Sequence, residues 1–97
     1  MIHRAAVASI DELLANVGQI ACQLVRFDVS EGVAISHLFD GDEQHPRTCQ
    51  WRVIAPNRPM LQTTVEQLLV SLAARGVTTN EPCFSDISCC ITDRGPW

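Results

Sequence analysis

The chain has 97 residues, with eleven acidic and seven basic side chains for a net charge of −4, and it is 46% hydrophobic and 19% charged. That balance describes one globular domain with a partly neutral surface, and excludes a disordered or charge-solubilised chain. Every cation is an arginine, at positions 4, 26, 47, 52, 58, 75 and 94; with no basic run and little aromatic interleaving, the sequence predicts no nucleic-acid partner, and its acidity disfavours anionic lipid.

No apolar stretch approaches the roughly 18 residues of a membrane span. Asp11 and Glu12 interrupt the short apolar start before a signal-like core develops. An odd count of 5 cysteines fits a reducing compartment, so a cytoplasmic protein with free thiols is expected.

In chain order, Ser9 can cap a helix and Glu12 stands where a capping box needs it. Ile10, Leu13, Leu14, Val17, Ala21, Leu24 and Val25 recur at helical spacing, and the favoured reading is one continuous first helix with Cys22 on its apolar side. Gly18 interrupts that pattern at about 1 kcal/mol relative to alanine. The alternative ends the helix near Val17, makes a strand of 20–27 and another of 2–8, and turns the chain into a split βαβ sandwich of order β-α-β-β-α-β.

After a turn-like segment, Val33, Ile35, His37 and Phe39 alternate with Ala34, Ser36 and Leu38, which is a strand pattern. Asp40-Gly41 opens the most polar stretch, through Arg47. A second strand runs from Thr48 to Ala55 with Cys49, Trp51, Val53 and Ala55 on one face, so the two strands form an antiparallel hairpin. Leu61, Val65, Leu68, Leu69 and Leu72 then mark a second helix. It starts either early, with Pro59 in its first turn, or late, with a capping box at Thr63 and Glu66; Arg75 and Gly76 end it. Val77–Glu81 has strand propensity only. From Cys83 a last strand is read with Cys83, Ser85, Ile87, Cys89 and Ile91 facing the core, and Phe84, Asp86, Ser88, Cys90 and Thr92 facing away. Asp93-Arg94-Gly95-Pro96 would end it.

The expected fold is therefore α+β: two helices on one face of a three- or four-stranded antiparallel sheet, in order α-β-β-α-β. Chemistry is sparse. His45, Cys49, Cys83 and Cys89 or Cys90 lack the close pair of a zinc knuckle, and no C-x-x-C occurs, so neither a metal nor another cofactor is expected. His37 or His45 with Cys49 has no nucleophile elbow beside it, and no catalytic residue is assigned. Asp40, Asp42 and Glu43 lack the spacing of a calcium loop.

What remains is surface. The outer side of the second helix is nearly uncharged, and the large or odd groups elsewhere are few. The interface candidates are Trp51, Phe84, Cys90, Trp97, Gln67 and Val70. These point to a small regulatory or accessory module that forms a homodimer or binds a larger protein, through the open sheet face or an edge near 83–91. The alternative is a small-molecule or metal-binding module with a pocket between sheet and helices lined by His37, Cys49, Trp51 and Cys89.

Overall fold

A computed structural model describes residues 2–6, 9–17, 24–28, 32–40 and 48–94. The sites expected at Cys22, in the polar loop 41–47 and at Trp97 lie outside them. The elements are β1 (Ile2–Ala6), α1 (Ile10–Val17), β2 (Leu24–Asp28), β3 (Ala34–Asp40), β4 (Thr48–Ile54), α2 (Arg58–Ala74), β5 (Thr78–Thr79), β6 (Cys83–Ser85) and β7 (Ser88–Arg94).

The class is α+β, as the sequence predicts. The strands form a single 7-stranded sheet of order β1-β2-β3-β4-β7-β5, and β6 pairs with β7 alongside β5. Only the β1–β2 pairing is parallel; the other ladders are antiparallel. The parallel pair requires a crossover, which α1 supplies.

The first helix is shorter than the favoured sequence reading. The described helix ends at Val17, and Leu24 and Val25, expected on its apolar stripe, lie in β2 instead. Leu24-Val25-Arg26-Phe27-Asp28 gains a ladder on each side, from β1 and β3. That pairing overrides a helical spacing interrupted by Gly18. At the helix start the expected cap is present: the Glu12 N–H donates to Ser9 Oγ at 3.2 Å, and the Leu13 N–H to the Ser9 carbonyl.

α2 starts early. The Met60 N–H donates to the Asn57 side-chain oxygen at 3.0 Å, and Pro59 occupies the first turn, where it needs no donor. Its end is a Schellman motif. Gly76, at φ 78°, donates to the Ala73 carbonyl, and Val77 donates to that of Leu72. Leu72 and Val77, which frame the motif, are both buried. Arg75 donates from its guanidinium to the Asp11 carbonyl at 3.3 Å, linking the end of α2 to the first turn of α1. Gly32 is likewise demanded by geometry: its φ is +81°, and an added Cβ would lie 3.1 Å from Pro56 Cγ.

Leu61, Val65, Leu68 and Leu72 of α2 and Leu13 and Leu14 of α1 are buried with Ile35, Trp51, Val53, Cys89 and Ile91 of the sheet. Each such side chain contributes about 1.5–3 kcal/mol on burial. Both helices thus cover the same face. Along β4 the alternation is complete: Cys49, Trp51, Val53 and Ala55 are buried and Gln50, Arg52 and Ile54 are exposed.

The last strand departs from the sequence reading. Residues 83–91 are not one strand but part of a hairpin, turning at Asp86-Ile87 with Asp86 at φ 53°. Aspartate tolerates that left-handed conformation better than most residues. Ser88 Oγ donates to the Ser85 carbonyl at 2.9 Å across the turn. The turn shifts the parity: Cys83 pairs with Cys90, and Phe84 with Cys89. Cys83 therefore does not face the core with Cys89, and it is exposed. Nor is β7 an edge strand, since β4 flanks it on one side and β5 and β6 on the other.

Because Gly76 holds a left-handed conformation with nothing within 4 Å of a Cβ placed there, Gly76→Ala should cost about 1–2 kcal/mol through backbone strain alone. Urea unfolding monitored by tryptophan fluorescence checks this, and an unchanged midpoint would remove the motif from the account.

Candidate functional site

Alternation on β3, β4 and β7 brings His37, Cys49, Trp51 and Asp93 together on the inner face. Register explains the grouping: His37 stands opposite Trp51, and Cys49 opposite Asp93. The two rings stack with centroids 3.9 Å apart and 22° between planes. The Trp51 indole N–H donates to Asp93 Oδ2, and His37 Nε2 lies 3.4 Å from the same oxygen. His37, Trp51 and Asp93 are 0% exposed and Cys49 is 1% exposed. A carboxylate in this interior is tolerable only with a donor such as the Trp51 N–H beside it, because an uncompensated buried charge costs several kcal/mol.

Three of the four pocket candidates are thereby brought together. Cys89 is buried on the same face but pairs with Val53, one side-chain row beyond Trp51 and Ile91, and stays outside the cluster. Burial pushes its thiol above the ordinary value, with Cys90 and Cys83 adding to the rise and Arg58 opposing it.

The constellation contains a thiol, an imidazole and a carboxylate, the ingredients of nucleophilic catalysis. Its seclusion argues against that use, since no substrate reaches a thiol enclosed to this degree. As ligands, His37, Cys49 and Asp93 offer nitrogen, sulfur and oxygen atoms within 4.8 Å of one another. A tetrahedral zinc ion holds its ligand atoms roughly 3.5 Å apart, so a modest inward shift would complete three ligand positions.

The interface candidates do not form one patch. Trp51 is wholly buried. Gln67 and Val70 are exposed on the outer side of α2, Val70 at 70%. Phe84 is 38% exposed, and the Arg58 guanidinium carbon lies 4.8 Å from its ring centre. Arg58 also donates to the Asp86 carbonyl at 2.8 Å, so it ties the start of α2 to the β6–β7 turn. Cys90 lies on the opposite face of the sheet, half-buried.

That opposite face is the second feature. A concavity of about 280 Å³ is lined by Ser36, Leu38, Gln50, Trp51, Arg52 and Cys90. Leu38 and Ile54 are large apolar groups exposed at 40% and 43%. In the strand register Arg4 pairs with Arg26, Arg26 with Ser36, Ser36 with Arg52, Arg52 with Cys90 and Cys90 with Cys83. Arginines scattered in sequence thus share one line across the sheet.

Sequence reasoning missed two participants. Asp93 was assigned to the chain's closing turn, although extending the alternation Cys89, Ile91 by one step reaches it. The arginine row had no sequence signal, because the strand order that creates it is set by pairing between distant segments. No protein family, curated protein or solved structure matches the chain. Among the described residues no helix is long and apolar enough to cross a membrane.

Removing the buried acceptor leaves the Trp51 N–H without that partner, a loss of about 1–3 kcal/mol. Asp93→Ala should therefore destabilise by that order, and a double-mutant cycle with Trp51→Phe should show coupling above about 0.5 kcal/mol. Additive effects in chemical denaturation would mean that the contact contributes nothing.

Proposed function

We propose that the chain is a protein-interaction module that receives an acidic segment of another protein on the open face of its sheet. The observation that carries this reading is the groove between Leu38, Arg52 and Cys90, on the face opposite both described helices, with the cation of Arg52 exposed beside it. Arginine favours planar, two-point contact with carboxylates, and exposed leucine and isoleucine beside it give apolar anchorage.

The same groove discriminates among occupants. A symmetric dimer centred on this groove would bring Arg52 near its own copy, and like charges at close range are repulsive. A single-stranded nucleic acid would look for aromatic platforms. The rows Ile2-Leu24-Leu38-Gln50-Thr92 and Arg4-Arg26-Ser36-Arg52-Cys90-Cys83 contain none. An acidic peptide with interspersed apolar residues fits both the charge and the groove.

Fluorescence anisotropy with a labelled glutamate- and leucine-rich peptide tests this. Saturable binding should weaken with salt, fall at least tenfold in Arg52→Glu, and persist in Val70→Glu on the far side of the molecule. Equal binding by Arg52→Glu, or a concentration-dependent dimer in light scattering that Arg52→Glu abolishes, would overturn the reading.

The convergence of His37, Cys49 and Asp93 within 4.8 Å favours a second reading, a buried metal-binding module. On that reading, protein purified without an affinity tag carries about one zinc per chain by elemental analysis, and Cys49→Ser loses it. A metal-free wild-type chain with unchanged thermal stability after chelation rejects it.

A further inference from the structure

The geometry points to Cys83 and Cys90 as a redox-reactive dithiol that closes into a cross-strand disulfide on the open face of the sheet. The two residues are direct partners in the β6–β7 ladder. Opposed residues of an antiparallel pair have Cα atoms about 4.5–5.5 Å apart, inside the range of about 4.4–6.8 Å that a disulfide spans. Partners in register also project to the same side of a sheet, so the two thiols face each other across the ladder. Cys83 is exposed, Cys90 is half-buried, and both thiols are free.

The other described thiols are placed out of competition. Cys89 is next to Cys90 in sequence, but successive residues of a strand point to opposite faces, and it is 1% exposed. Burial and its thiol neighbours also hold it in the protonated, less nucleophilic form. Cys49 is equally enclosed, across the β4–β7 ladder from Asp93.

The oxidant required is a low-molecular-weight disulfide such as oxidised glutathione. The exposed Cys83 thiolate attacks one of its sulfurs, the sulfur–sulfur bond breaks, and one small thiol leaves with the first proton. The Cys90 thiolate then attacks the Cys83 sulfur of the mixed disulfide and expels the second small thiol with the second proton. Two protein thiols are oxidised and one small disulfide is reduced to two thiols. The new bond ties the short edge strand Cys83–Ser85 to β7 and closes the Cys83 end of the row that passes through Arg52. Its formation does not depend on the docking reading.

The test incubates the full chain with oxidised glutathione, blocks remaining thiols with iodoacetamide and measures intact mass. The expected product is a monomer lacking two hydrogens and carrying no glutathione. Because Arg75 and Arg94 bracket all three tail cysteines, cleavage at Asp86 is needed to separate Cys83 from Cys89 and Cys90. Cys83→Ser and Cys90→Ser, both away from the core, should abolish the internal bond and accumulate a glutathione adduct on the remaining surface thiol. Cys89→Ala should keep the internal bond. Amide exchange at Phe84 and Ser85 should slow on oxidation. A stable glutathione adduct at Cys83 or Cys90 of the wild-type chain, an intermolecular dimer through either, or an internal bond that survives Cys83→Ser would each overturn the assignment.

Discussion

Trp51 is the residue through which the central strands are held in register. Its ring stacks on His37 of β3, its N–H donates to Asp93 of β7, and it stands opposite Ile91. A slip of one residue along either neighbouring strand would turn His37 or Asp93 toward solvent and Trp51 away from its partners, since side chains alternate with a period of two. Hydrophobic burial rewards any inward-facing apolar residue, whereas a donor in the interior rewards one particular acceptor. The polar knot therefore contributes uniqueness of pairing beyond what packing supplies.

Everything distinctive about the outer face follows from that register. With Trp51 inside, Gln50 and Arg52 must face outward, and the pairing carries the row from Arg4 through Ser36 and Arg52 to Cys90 and Cys83. A net acidic chain thus aligns Arg4, Arg26 and Arg52 at one register position across neighbouring strands, with Arg52 exposed. Both described helices cover the other face. The open side is chemically particular, with charge, exposed aliphatic groups and a facing pair of thiols, while the inner side is closed.

Much of this was legible in the sequence where periodicity is strong and local. The hairpin of Ala34–Asp40 and Thr48–Ile54 and the buried stripe of α2 follow their patterns closely. So does the stop at Gly76, because a positive φ after a helix strongly favours glycine. The inward placement of His37, Cys49 and Trp51 was readable for the same reason, as alternate positions of two adjacent strands. The failures occurred where local pattern and pairing compete. Leu24 and Val25 fit a helix stripe but gain more from two strand ladders. A turn at Asp86, with no glycine to mark it, shifts the parity of every residue before it and moves Cys83 from the inner face to the outer. Asp93 and the arginine row depend on which strands become neighbours, and that is decided by contacts across the whole chain.

The two faces of the sheet differ by parity, and the thiols report it directly. Native protein should be treated briefly with iodoacetamide and each cysteine's labelling read by mass spectrometry, with a urea-unfolded sample as reference. Cys83 should label fast, Cys90 more slowly, and Cys49 and Cys89 only after unfolding. Labelling of Cys49 or Cys89 as rapid as that of Cys83 in the native state would contradict the register, and with it both the buried knot and the outward placement of Arg52.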